Sequence, residues 1–302
     1  MKSISVYHVD AFTTVPFCGN PAGVVPEADG LTETEMQKIA RELNLSETAF
    51  LFPSNQQTAD FRVRYFTPTK EIDFCGHATI GLSWLLATKY GWKDKAKIIL
   101  ATNVGTIPVE LTKREGKLIT VTMTQATPKV QNVQLDREKI GQIIGVKTEA
   151  IDQRYPIKLA YTGNWHLLIP IKSQKEIDNA QPKLDELKQL NLLQQASTTH
   201  LFTFHPEKSN YDLYTRDFAP AIGIPEDPVT GSANGALAGY LLLEKICSFP
   251  DLQQLKIAQG NNIDRPGTLI VNVLKSQAKE EPIIKVGGTA VITIEGTLSL
   301  PE

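Results

Sequence analysis

Polar and apolar residues alternate along the opening segment "MKSISVYHVDAF", which is the period of a strand with one buried face. The same alternation, or a β-branched run of strand length, recurs in "FRVRYF", "KIILAT", "LITVTMT", "HLLIPI", "HLFTFH", "TLIVNV" and "AVITIEGTLSL". Helical spacing stands out in "LTETEMQKIARELN". Thr32 and Glu35 are spaced as a capping box, and Met36, Ile39, Ala40 and Leu43 form one apolar stripe. Strands thus dominate and helices fall between them irregularly. The regular strand–helix alternation of a doubly wound parallel sheet is missing, so the pattern predicts an α+β fold.

A second regularity runs through the whole chain, because its motifs occur twice in the same order. "FCGNPAGVVP" (17–26) returns as "YTGNWHLLIP" (161–170), and "ELNLSETAFLF" (42–52) loosely as "LLQQASTTHLFTF" (192–204). "RYFTP" (64–68) returns as "RDFAP" (216–220), "CGHATIGLSWLL" (75–86) as "TGSANGALAGYL" (230–241), and "VGTIPVEL" (104–111) as "PGTLIVNV" (266–273). Five ordered matches imply two halves of similar fold. The polar, proline-containing stretch "TQATPKVQNVQ" (124–134) marks their junction, with an N-terminal half over 1–124 and a C-terminal half over 125–289. A duplicated chain of this kind is expected to carry its active site in the cleft between the halves, where equivalent loops converge.

Composition changes this picture by exclusion. In 302 residues, 31 basic side chains face 33 acidic ones and no Lys/Arg block occurs, which argues against a nucleic-acid or membrane-surface partner. No apolar run approaches the length of a membrane span, and the N-terminus lacks the apolar core of a signal peptide. Cys18, Cys75 and Cys247 are too few and too scattered for a disulfide framework. A cytoplasmic protein acting on a small molecule is the expectation.

The paired segments "CGHATIGLSWLL" and "TGSANGALAGYL" both read as a small-residue turn entering an apolar helix. The first amides of such a helix are unpaired and partially positive, so Gly76 and Gly231 are candidates to hold a carboxylate. Close helix packing is the other reading, and it is favoured for the glycines Gly231, Gly235 and Gly239 at four-residue spacing. No lysine follows as in a phosphate-binding loop, and the spacing does not match a dinucleotide fingerprint, so no cofactor is indicated. His8, His77, His166, His200 and His205 show no ligand spacing with acids, so no metal is expected either. Asn20 and Asn164, the paired residues after glycine, either bind polar substrate groups or serve their turns.

Taken together, "FCGNPAGVV", "LSETAFL", "FCGHATIG", "EDPVTGSANGALAGYL", "RPG" (265–267) and the closing "VGGTAVITIEGTLSL" resemble the PhzF family of phenazine-biosynthesis-like proteins, from Phe12 to Leu300. The resemblance implies a diaminopimelate-epimerase-like fold. Each of two pseudo-symmetric halves would be a mostly antiparallel sheet or barrel wrapped around a central helix, with the final strand, 290–302, returning to the first half. It also implies a homodimer.

In relatives that racemise amino acids, two cysteines act from opposite faces of the substrate carbon. Cys75 stands at the first position, but the repeat places Thr230 at the second. A threonine hydroxyl is far too weak an acid to exchange a carbon-bound proton near neutral pH. Cys75 then reads as a small buried residue at a helix start. The family instead points to a carboxylate, Glu47 in "LSETAFL", assisted by His77, with Asp227 and Ser232 from "EDPVTGSANG" orienting substrate or sharing protons. The implied activity is a cofactor-independent isomerisation of a small cyclic or α-substituted carboxylate. Two alternatives stand beside it: epimerisation of an amino or hydroxy acid by Cys75 with a carboxylate, and a non-catalytic carboxylate binder.

Overall fold

The computed structural model describes residues 3–247, 252–274 and 281–300. The last two positions of the expected 290–302 strand lie outside the described residues. The elements in chain order are β1 (Ser3–Ala11), β2 (Asn20–Val25), α1 (Glu33–Leu43), β3 (Thr48–Pro53), β4 (Phe61–Phe66), β5 (Glu71–Ile72), α2 (Gly76–Lys89), β6 (Lys97–Thr102), β7 (Gly105–Arg114) and β8 (Lys117–Thr124). There follow β9 (Lys129–Asn132), α3 (Arg137–Ile144), β10 (Lys158–Tyr161), β11 (Trp165–Pro170), α4 (Gln174–Asp178), α5 (Leu184–Gln194), β12 (Thr198–Thr203), β13 (Leu213–Phe218), β14 (Glu226–Asp227), α6 (Gly231–Leu243), β15 (Leu252–Gln259), β16 (Gly267–Leu274), β17 (Ile283–Gly288) and β18 (Ala290–Ser299). The chain forms two compact units, one of residues 1–124 and 287–302, the other of residues 125–286.

Within the first unit, β1 pairs antiparallel with β2 and with the returning β18, β2 runs parallel to β3, β3 antiparallel to β4, β4 parallel to β6, and β6 antiparallel to β7. The second unit repeats this pattern. There β10 pairs antiparallel with β11 and β9, β11 runs parallel to β12, β12 antiparallel to β13, β13 parallel to β15, and β15 antiparallel to β16. The short strands β5 and β14 occupy the same place, each antiparallel to the strand that carries the repeated arginine. Arg64 binds Glu71 through Nε and Nη2, and Arg216 binds Glu226 through the same two nitrogens. Such bidentate pairs fix a planar geometry, and here they tie each short strand to its neighbour.

These registers match positions across the repeat. Gly23 faces Thr48 in the first unit and Leu167 faces Thr199 in the second, so Glu47 corresponds to Thr198. Tyr65 faces Ile72 and Asp217 faces Asp227, so Asp227 takes the place of Ile72 and Asp217 that of Tyr65.

Helix α1 forms where its sequence demands. Thr32 Oγ1 accepts from Glu35 N–H, Glu35 returns the contact to the Thr32 amide, and Met36, Ile39 and Ala40 are buried. Asn44 then adopts a left-handed conformation, φ 49° and ψ 36°, which asparagine tolerates and which turns the chain toward β3.

Helices α2 and α6 are different, being apolar on nearly every side. Ile80, Leu82, Leu85 and Leu86 on α2, and Leu237, Tyr240 and Leu241 on α6, are all essentially inaccessible to water. A helix of that kind must be enclosed, and each is the central helix of its unit. Gly239 shows how closely α6 is packed, since a Cβ built there would lie 2.5 Å from Pro128 Cβ. Gly239→Ala is therefore expected to cost about 1–3 kcal/mol by overpacking. Denaturant unfolding checks this, and an unchanged midpoint would show that α6 is not pinned against Pro128.

Candidate functional site

Three chemically capable side chains meet in the first unit. Glu47 lies in the turn between α1 and β3, and its carbonyl accepts from Gly23 N–H at 2.9 Å, which anchors the backbone beside β2. Cys75 is the N-cap of α2 in extended conformation, and its side chain makes no cap hydrogen bond. His77, in the first turn of α2, is buried between them. Its Nδ1 lies 3.4 Å from Cys75 Sγ, and its Nε2 lies 3.3 Å from Glu47 Oε2 and 3.4 Å from Ser46 Oγ.

One protonation pattern satisfies this row with neutral imidazole. The thiol donates to Nδ1, and the Nε2 hydrogen faces the ionised carboxylate. The His77–Glu47 approach is a close polar contact without hydrogen-bond alignment. Among the described residues Glu47 Oε2, although buried, has no hydrogen-bond partner. A buried carboxylate oxygen left in that condition is costly for stability and open to an incoming proton.

The spacing of histidines in the sequence gave no sign of this grouping, yet the fold brings one ligand atom each from Glu47, Cys75 and His77 within 4.8 Å of one another. Those three could hold a divalent ion of the softer kind, since thiolate, imidazole and carboxylate together suit such ions.

The remaining expected residues fall in both units. Asn20 opens β2 and is fully buried, whereas Asn164 is exposed in the turn before β11. Gly76 and Gly231 open α2 and α6, each half-buried, and Ser232 is half-buried in the first turn of α6. The α6 N-cap is Thr230, whose hydroxyl makes no cap bond. It turns instead to Asp217 Oδ2 at 2.9 Å and Asp227 Oδ2 at 2.5 Å. Asp227 therefore belongs to a buried polar group that sequence reasoning missed. Thr198, His200 and Asp217 lie in it, and Gln259 and Asn234 close it from β15 and α6. The repeat held one signal for it: Thr198 and Thr230 occupy the Glu47 and Cys75 positions.

Two repeats of one strand order, each around an apolar helix, form the diaminopimelate-epimerase-like fold, and the full-length relatives of this chain are named isomerases, the class to which it belongs. The family model of the phenazine biosynthesis-like proteins matches residues 9–296. An uncharacterized isomerase of Clostridium acetobutylicum is 38% identical over 99% of both chains. The trans-2,3-dihydro-3-hydroxyanthranilate isomerase of Pseudomonas chlororaphis is 32% identical over 97% of this chain and 98% of its own. A crystal structure of a PhzF-family protein from Bacillus anthracis superposes with a TM-score of 0.91 at 34% identity, covering 99% of this chain and all of the other. The chain belongs to the PhzF family. Among the described residues no helix is long and apolar enough to cross a membrane.

Proposed function

We propose that this isomerase moves a proton between carbons of a small cyclic or α-substituted carboxylate, without a cofactor, and that Glu47 is its base. The observation that carries the reading is the buried Glu47 Oε2, which lies 3.3 Å from the His77 imidazole and has no hydrogen-bond partner among the described residues. A general base needs an accessible lone pair and a neighbour that stabilises its charged form. The His77 Nε2 hydrogen supplies the second, and the lone pairs of Oε2, which take no hydrogen bond among the described residues, are the ones that would serve as the first once substrate displaces what covers them. Asp227 is the second proton-carrying group of the reaction. The amides of Gly76 and Gly231, each at a helix start that no N-cap side chain covers, are each suited to a carboxylate, as helix N-termini favour anions. Asn20, Asn164 and Ser232 supply polar contacts. The substrate of the Pseudomonas relative, trans-2,3-dihydro-3-hydroxyanthranilate, is the first compound to try.

A second reading has its own observation. Cys75 Sγ touches the same imidazole at 3.4 Å, so a thiol could serve as a proton donor in epimerisation of an amino or hydroxy acid.

Incubation of candidate carboxylates in D2O with wild type, Glu47→Gln and Cys75→Ala, followed by NMR, separates the two. Exchange lost in Glu47→Gln and kept in Cys75→Ala supports the isomerisation, and the reverse result supports the epimerisation. The reading also makes the protein a cytoplasmic homodimer, and light scattering checks the dimer.

A further inference from the structure

In the second unit a line of buried polar side chains runs from β11 to β14. His166 Nδ1 lies 2.7 Å from Thr198 Oγ1, and the Thr198 hydroxyl donates to Asp217 Oδ1 at 2.7 Å. His200 Nδ1 reaches the same oxygen at 2.9 Å. On the other side of this carboxyl group, Thr230 Oγ1 stands between Asp217 Oδ2 at 2.9 Å and Asp227 Oδ2 at 2.5 Å. Gln259 Nε2 adds a donor to Thr230 Oγ1 at 3.1 Å.

We propose that Asp217 and Asp227 hold one proton between them across the hydroxyl of Thr230, and that this proton rests on Asp227. The argument is a count of hydrogens. A hydroxyl has one hydrogen to give and two lone pairs to fill. Thr230 Oγ1 contacts three groups, and Gln259, an amide nitrogen, can only donate to it. The single hydroxyl hydrogen can go to one carboxyl oxygen. The other oxygen, also within hydrogen-bond distance, must bring a hydrogen of its own, because two bare oxygens do not sit that close.

Asp217 is the accepting end. Thr198 and His200 already donate to its Oδ1, and the Thr230 hydrogen goes to its Oδ2 as a third donor, so this carboxyl group receives hydrogens on both oxygens. Asp227 is then the acid that donates into Thr230, and it lies at the less buried end, 9% exposed against 0% for Asp217. Charged or titratable groups close to the pair include His166 on β11, whose charge is coupled to Asp217, His200 on β12 and the Arg216–Glu226 ion pair on β13 and β14. Gln259 on β15 and Asn234 on α6, both neutral, join the same network.

Two carboxyl groups bridged so closely resist double ionisation, as in paired-aspartate enzymes. The use of the proton rests on the isomerase reading above, whereas the shared proton does not. In that use the Asp227 O–H bond breaks, a C–H bond forms at the substrate carbon, and the electron pair stays on the carboxylate. Two carboxylates are left around one hydroxyl hydrogen, and solvent returns the missing proton. Thr230 and Asp217 are positioning residues in this scheme.

The test is an NMR titration of the full chain with 13C-labelled aspartate carboxyl groups and no substrate added. Asp227 is assigned as the signal missing in Asp227→Asn. It is expected to remain a carboxylic acid at pH 7 in wild type and in Thr230→Ser, which keeps the hydroxyl. Thr230→Val removes the bridge and Asp217→Asn removes the partner charge. Either is expected to lower the Asp227 midpoint by at least about 2 pH units, toward the ordinary value near 4. If Thr230→Val does not fold, Asp217→Asn carries the test. An Asp227 signal already ionised at pH 6 in wild type overturns the proposal, as does a midpoint equal in all variants. Failure here leaves the Glu47 reading standing, and absence of deuterium exchange in wild type overturns that reading while leaving the shared proton untouched.

Discussion

Glu47→Gln is expected to lower deuterium exchange into the substrate by about 100- to 10,000-fold, the range that a positioned general base contributes. Glutamine has nearly the same volume, and its amide oxygen can face the His77 Nε2 hydrogen as the carboxylate does at 3.3 Å. The backbone anchor, Glu47 C=O to Gly23 N–H, is untouched by the side chain. The variant should therefore fold and bind as wild type does while lacking a basic oxygen, so kcat falls and substrate affinity changes little. Cys75→Ala removes the thiol from the far side of the imidazole, and exchange is expected to persist at a reduced rate. His77 keeps its Glu47 contact in that variant and loses only its Nδ1 partner. Exchange that survives Glu47→Gln would remove this residue from the chemistry.

The duplication could be read from the chain because the repeated residues do structural work that composition cannot disguise. Arg64 and Arg216 each clamp a short strand, and the glycine-rich starts of α2 and α6 each open an enclosed helix. Helix α1 was equally plain, since its capping box and apolar stripe are local signals. The grouping of Glu47 with His77 came from the family resemblance and not from the pattern, because a parallel strand pair and the entry to α2 bring together residues that no periodicity links.

The polar network of the second unit was hidden for a different reason. Alternation marks a strand with one wet face, but every residue of β12 and of β13 is buried. His200 opens the run "HLFTFH", which reads as an ordinary strand, and Asp217 lies in a repeat motif with no strand signal of its own, so only hydrogen bonding reveals why they are tolerated in buried strands. Thr230 was set aside as unable to act like the cysteine it replaces. The structure gives it another task, bridging two carboxyl groups.

His166 makes the second large prediction, a loss of stability in mild acid. The imidazole is fully enclosed, with Nδ1 engaged by Thr198 and with Nε2 buried and lacking a hydrogen-bond partner among the described residues. Burial pushes its pKa down from 6.5 to about 4, outweighing the nearby Asp217 charge, which acts the other way, and His200 lowers it further. In the unfolded chain the same group titrates at the ordinary value. Between pH 6.5 and about 4 the unfolded state therefore binds more protons than the folded one, and stability rises with pH across that window. The contribution is complete above the unfolded value and is lost as pH falls toward the folded one. A displacement of this size corresponds to about 3 kcal/mol, of which about 2 kcal/mol is lost between pH 7.5 and 5. Denaturant unfolding of wild type and His166→Gln at those two pH values isolates the effect, because carboxylates that titrate elsewhere act alike in both proteins. The variant is expected to be less stable at pH 7.5, yet to lose about 2 kcal/mol less than wild type on moving to pH 5. Equal losses in the two proteins would show that the acid sensitivity of the fold resides in another group.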